Sequence, residues 1–157
     1  SARAVAFSLA NAGVQEITFV VRNLLQGEKL AADLNKSFSV SLKVVEFSSL
    51  AEHVVAAAHL IVNTTPVGMY PHEDTMPPLK LDGLHQGQHF YDLIYRPFET
   101  KIMGEARKRG LTVQNGVGML VHQGAQAFSL WTEKTPPLEV MRQAVWEHVG
   151  TGRKKIP

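Results

Sequence analysis

Residues 17–63 read ITFVVRNLLQGEKLAADLNKSFSVSLKVVEFSSLAEHVVAAAHLIVN, and their pattern decides the fold class. Ile17 to Val21 is a β-branched and aromatic run, the composition of a strand. Leu24 to Asn35 follows with Leu30 and Leu34 at i,i+4 spacing, which predicts a helix. Lys43 to Phe47 reads as a second strand and Leu50 to Ala57 as a short helix. His59 to Asn63 reads as a third strand that runs into Thr64-Thr65-Pro66. Strands separated by helices of this length imply βαβ units and a parallel sheet. Several runs are apolar throughout instead of alternating, as strands covered on both faces are.

The same alternation extends in both directions. Upstream, Ser1 to Ala12 has helical spacing, with Val5, Leu9 and Ala12 on one side and Gly13 as a C-terminal stop. Downstream, a polar loop from Val67 to about Gln86 carries Pro71, Pro77 and Pro78. Strands are expected over Gln88 to Ile94 and Leu111 to Gln114, and helices over Glu99 to Arg109, Val117 to Glu133 and Leu138 to Val149. The expected fold is a doubly wound, mainly parallel, Rossmann-like α/β domain over residues 1–149, its C-terminal helices starting near 117, with a basic tail at 150–157.

A dinucleotide-binding fold ordinarily opens with a strand and a glycine-rich turn, and that strand is central in the 3-2-1-4-5-6 order. Here the pattern opens on a helix. We therefore expect the first, central strand and most of the glycine loop to lie before Ser1. Two inner strands would then carry unpaired edges, and a buried unsatisfied amide costs about 1–3 kcal/mol. A smaller five-stranded α/β fold is the alternative.

Composition removes several function classes. The 157 residues include 16 Lys and Arg against 14 Asp and Glu, a net charge of +2. That excess is too small, and too scattered, to point to a nucleic-acid partner. Without cysteine there is no disulfide framework, zinc thiolate or thiol nucleophile. No apolar run approaches the ~18 residues of a membrane span, so the expected location is cytoplasmic. The seven histidines are dispersed. His85 and His89 are four apart but in a segment entering a strand, so no metal site is expected.

Four segments carry chemistry. Arg22 ends the Ile17–Val21 run, and no acidic residue lies between Ile17 and Gly27. A guanidinium there suits a 2′-phosphate through paired, charge-assisted hydrogen bonds, whereas an NAD site usually places Asp or Glu nearby. Asn63-Thr64-Thr65-Pro66-Val67-Gly68-Met69 puts polar groups and free backbone at the carboxyl edge of a sheet. Tyr91-Asp92-Leu93-Ile94-Tyr95-Arg96-Pro97 follows another strand; Asp92 suits local pairing better than the role of a base. In Asn115-Gly116-Val117-Gly118-Met119-Leu120-Val121-His122-Gln123-Gly124-Ala125, helical spacing lets Gly116, Met119, Leu120 and Gln123 share one face.

Together these segments resemble the shikimate dehydrogenase family from Ser1 to about Trp146. Asn115 to Ala125 is similar to its D-G-x-G-M-L-V-x-Q-[AG]-A segment, Tyr91 to Pro97 to Y-D-x-x-Y-x-P, and Asn63 to Met69 to N-A/T-T-P-x-G-M. Ser1-Ala2-Arg3-Ala4 resembles the end of the family's glycine loop and the start of the helix behind it, with Ser1 as the last loop position. Arg22 matches the arginine of an N-R-T segment, while Val21 replaces its asparagine and Gln26 a second basic residue.

The resemblance implies NADP as cofactor, held by Ser1, Arg3, Arg22, Asn23, Gln26, Asn63, Thr64, Thr65, Leu93, Gly116 and Met119. It implies substrate contacts from Tyr95 and Gln123, with shikimate or 3-dehydroshikimate as the small-molecule substrate. It assigns no catalytic residue in this chain, because the family's lysine–aspartate pair belongs to an N-terminal substrate domain. That domain is the expected partner, and the chain alone is expected to be inactive. A homodimer is compatible with the sequence. Val21 and Gln26 motivate an alternative, a related quinate/shikimate-type dehydrogenase using NAD and acting on quinate or another cyclic polyol acid. The absent catalytic pair motivates another, a non-catalytic nucleotide-binding module.

Overall fold

A computed structural model describes residues 1–47 and 49–150. The basic tail expected beyond Val149 lies almost wholly outside the described residues. The chain forms two compact units: residues 1–58 with 78–84, and residues 59–77 with the remainder from His85.

The first unit contains α1 (Ala2–Asn11), β1 (Glu16–Val21), α2 (Leu24–Asn35), β2 (Ser41–Glu46) and α3 (Ser49–Ala57). β1 and β2 pair in parallel, with Phe19 opposite Val44. The core is Ala6, Phe19, Ala31 and Leu34, flanked by Ile17, Val21, Leu30, Phe38, Leu42 and Val44. Burying an aromatic such as Phe19 contributes about 1.5–3 kcal/mol. The Phe7 and Phe38 rings meet edge to face at 4.9 Å, a geometry favoured by the ring quadrupole.

One detail of the expected α1 face is corrected. The buried residue is Ala6, Val5 and Leu9 are half-buried, and Ala12 is exposed. Ala12 is the C-cap, just past the last helical turn, so helical periodicity no longer aims it at the core. Part of the expected polar loop also proves apolar in use. Leu81 and Leu84 are buried, and Lys80 reaches Glu52 of α3 at 2.7 Å.

The second unit contains β3 (Leu60–Asn63), β4 (His89–Asp92), α4 (Lys101–Lys108), β5 (Thr112–Gln114), α5 (Val117–Thr132) and α6 (Leu138–Val145), followed by a π-helical turn at Trp146–Gly150. The sheet order is β3-β4-β5, all parallel. Phe90, 1% exposed, anchors a core with Ile102, Met103, Ala106, Leu111, Val117, Val121 and Ala125 among its buried residues. The α5 stripe Val117, Val121, Ala125 has i,i+4 spacing, which is why a helix this rich in small residues buries one face.

Every pairing is parallel, so the fold is α/β and Rossmann-like, as the sequence predicts. The pairings β1–β2 and β3–β4–β5 match strands 2–3 and 4–5–6 of the 3-2-1-4-5-6 order.

Candidate functional site

Many of the predicted contacts fall at the carboxyl ends of strands, the others on α1, α2 and α5, and each unit carries its own set. In the first unit, β1 ends at Val21 and the chain turns into α2. Asn23 caps that helix, its Oδ1 accepting from the Gln26 N–H at 3.1 Å. The local reason is plain: Asn is a strong N-cap, and the cap satisfies one orphan amide of the first turn. Arg22 is left exposed at the strand end, with no ion-pair partner among the described residues. No acidic residue stands in the first turn of α2. A cation at a helix N-terminus that has no acidic residue in its first turn is a site suited to an anion.

Other predicted residues of this unit are differently engaged. Arg3 pairs with Asp33 at 2.8 Å, tying α1 to α2. Its hydrogen bond, with that of Lys36, holds the Asp33 carboxyl below its ordinary range. Ser1 is the N-cap of α1 without a side-chain cap bond, and its carbonyl accepts from Val5 at 3.1 Å. Gln26 is exposed.

In the second unit, three turns meet at one sheet edge. Asn63 and Asp92 are register partners at the ends of β3 and β4. Asn63 Oδ1 accepts from the Thr65 N–H at 3.1 Å and the Thr65 hydroxyl at 2.8 Å, while its Nδ2 donates to Asp92 at 3.1 Å. The Leu93 N–H donates to the Asn63 carbonyl at 3.1 Å. Asn63 is thus spent on holding the 64–65 turn, leaving half-buried Thr64 and Thr65 as the groups at its surface.

Asp92 is fully buried. It also accepts from the Ile94 N–H at 3.0 Å and from the Thr100 hydroxyl at 2.7 Å. Burial pushes its carboxyl up, and these three donors partly offset that. The reading of Asp92 as a locally paired carboxylate holds: both of its oxygens are engaged within the protein.

Gly116 closes the constellation. Its N–H donates to the Ile94 carbonyl at 3.0 Å, and a Cβ there would collide with the Leu93 carbonyl oxygen. Only glycine admits this approach of two backbones. Asn115 sets the turn from both sides. Its Oδ1 accepts from Val117 at 3.2 Å and its Nδ2 donates to the Phe98 carbonyl at 2.9 Å. Burial pushes the Tyr91 phenol up, and the Met119 backbone partly offsets this.

With Val117, Val121 and Ala125 buried, Met119 and Leu120 are half-buried and Gln123 is exposed with no hydrogen-bond partner among the described residues. Its amide is available to donate and accept at once. Tyr95 is 38% exposed, with Met69 and Tyr70 also exposed in the same unit. The Arg96 guanidinium stacks over the Tyr70 ring at 4.5 Å, and the Tyr70 N–H donates to the Arg96 carbonyl at 3.2 Å. The two loops that carry these residues are thereby fastened together.

Sequence reasoning missed Thr100 and the bridging role of Asn115. The signal for Thr100 was present: a threonine directly before a helical pattern is an N-cap, and Thr100 accepts from the Met103 N–H at 3.4 Å.

Comparison with known proteins agrees with the geometry. The family model for the Shikimate 5'-dehydrogenase C-terminal domain matches residues 116–145. A shikimate dehydrogenase (NADP(+)) of Methanopyrus kandleri is 43% identical over 150 residues, covering 95% of this chain and 52% of that protein. The chain spans about half the length of the curated relatives it matches. Shikimate 5-dehydrogenase from Thermus thermophilus, solved with NADP(H) and shikimate, superposes with a TM-score of 0.76 at 33% identity, covering 92% of this chain and 50% of that one. Quinate dehydrogenase from Corynebacterium glutamicum, solved with NAD, gives 0.84 at 29% identity, covering 92% and 51%. Over nearly its whole length the chain is similar to the C-terminal part of longer shikimate dehydrogenases.

Proposed function

We propose that this chain is the NADP-binding part of a shikimate dehydrogenase that reduces 3-dehydroshikimate to shikimate with NADPH, in aromatic amino-acid biosynthesis (the chorismate pathway). The observation that carries the reading is the packing of Gly116 on the Leu93–Ile94 peptide, with Met119 and the free Gln123 amide on the helix that follows. In this reading Arg22 meets the 2′-phosphate. Thr64, Thr65, Leu93, Gly116 and Met119 line the ribose and nicotinamide end. Tyr95 and Gln123 contact substrate hydroxyls.

The cofactor supplies the hydride when bound. This chain's residues orient its ring and close one wall of the cleft, a contribution through positioning. No residue here is assigned the proton-transfer role, which belongs with the lysine–aspartate pair of the family's N-terminal domain. We therefore propose that residues 1–157 alone are inactive. Among the described residues, no helix is long and apolar enough to cross a membrane, and we place the protein in the cytoplasm.

The test is steady-state turnover of NADPH and 3-dehydroshikimate by the full-length protein and by residues 1–157. Turnover is expected from the first and not from the second. An inactive full-length protein refutes the activity, and an active fragment refutes the division of labour. A second reading, a quinate-type dehydrogenase using NAD, is favoured by Val21 and Gln26 and by the likeness to an NAD-bound quinate dehydrogenase. A marked preference for NADH and quinate would select it.

A further inference from the structure

The carboxylate of Asp92 is the point on which the hydrogen bonds of the second unit's sheet edge converge. It accepts from Asn63 Nδ2 (3.1 Å), the Ile94 N–H (3.0 Å) and the Thr100 hydroxyl (2.7 Å). The directions of the Asn63 and Ile94 bonds are fixed. Asn63 Oδ1 must face Thr65, because the Thr65 backbone N–H can only donate, so Nδ2 must face Asp92. Thr100 Oγ1 accepts from the Met103 N–H and donates its proton to Asp92. Three donors point at one group that is 0% exposed. Only an acceptor-only side chain satisfies all of them. A neutral amide would set its own N–H against a donor or leave the Thr100 proton without a partner.

Each bond leads to a group in the proposed cofactor wall. Through Asn63 the carboxylate sets the Thr65 turn. Through the Ile94 N–H it sets the Leu93–Ile94 peptide, whose Leu93 carbonyl packs against Gly116, and the Ile94 carbonyl that accepts from the Gly116 N–H. Through Thr100 it fixes the start of α4.

We propose that Asp92 is a positioning residue for hydride transfer: its carboxyl group sets the mutual placement of the 64–65, 93–95 and 115–116 turns, and so the attitude of the nicotinamide ring. It touches neither cofactor nor substrate, and it is not a base. The inference rests on the proposed dehydrogenase function. Its consequences fall on the nicotinamide end and spare Arg22.

The experiment uses the full-length protein with NADPH and 3-dehydroshikimate, assayed well below each variant's melting temperature and corrected for folded fraction. Asp92→Asn and Thr100→Val are expected to lower kcat about tenfold while KM for NADPH moves less than about twofold. Thr100→Ser, which keeps the hydroxyl, is expected to keep kcat. If Asp92→Asn does not fold, the Thr100 pair decides. A kcat within about twofold of wild type in the folded Asp92→Asn and Thr100→Val proteins overturns the proposal, leaving the network a purely structural one. A loss confined to KM for NADPH also overturns it. An inactive wild-type protein is a separate result: it refutes the dehydrogenase function itself, and the positioning role with it.

Discussion

Gly116 and Leu93 are in backbone contact: a methyl group at Gly116 would overlap the Leu93 carbonyl oxygen and stand 3.2 Å from the Ile94 carbonyl carbon. Neither partner can yield easily, since Leu93 is held by the Asn63 carbonyl and Ile94 by Asp92. Gly116→Ala is therefore expected to cost about 1–3 kcal/mol of stability through overpacking. It should also abolish most turnover in the full-length protein. Thermal unfolding and steady-state kinetics check both parts; wild-type stability with wild-type kinetics would contradict the contact.

A second close approach holds the first unit together. A methyl at Gly27 would stand 2.5 Å from Val44 Cγ1 and 3.2 Å from Val21 Cγ2. Alanine gains about 1 kcal/mol in helix propensity, whereas forcing a methyl into a packed helix–sheet contact costs about 1–3 kcal/mol. We expect Gly27→Ala to be net destabilising by about 1 kcal/mol. Combined with Val44→Ala it should show favourable coupling of about 1 kcal/mol in a double-mutant cycle followed by urea unfolding. Additive effects would mean that α2 shifts away from β2 without cost.

Arg22 is the exposed cation at the end of β1. Hydrogen bonds to a charged group are worth about 1.5–3 kcal/mol, which is roughly a 10- to 100-fold change in affinity. Arg22→Ala should weaken NADP binding by that factor and leave NAD binding within about twofold. Calorimetry on the full-length protein with each dinucleotide measures the contrast. Equal losses for both cofactors would remove the assignment of Arg22 to the 2′-phosphate.

Acid should act on α4. Hydrogen bonds from Lys108 and Arg109, at 2.8 Å each, hold the Glu105 carboxyl down at about 2, against an ordinary value of 4.5. A carboxyl with a depressed folded value binds fewer protons folded than unfolded. Its stabilising effect is thus fully present above about pH 4.5 and is lost as pH falls toward about 2. The group is only half-buried, so the effect is screened by salt. Unfolding midpoints followed across that window should fall less steeply in Glu105→Gln than in wild type, and the difference should shrink at high ionic strength. Parallel curves would show that the pairs contribute nothing measurable.

Much of the fold was legible in the residues. The strand and helix order follows from periodicity and composition, and the observed helix α2 has the predicted bounds, Leu24–Asn35. Local devices were legible for the same reason. Asn23 and Thr100 cap helices through bonds to residues three positions on; the signal for such short-range contacts lies in the spacing, although sequence reasoning passed over both caps.

Sequence alone determined the order of elements, their parallel class and which segments end at the carboxyl edge, because each depends on a residue and its near neighbours. Tertiary structure decided the rest. It brought Asn63 to Asp92 across 29 positions and Asn115 to the Phe98 carbonyl across 17, turned Arg3 toward Asp33 across 30, and drew Leu81 and Leu84 out of a polar loop into a core. The physical reason is that a buried polar group must find its partners wherever the fold supplies them, and the chain's local pattern carries no record of which distant group that will be.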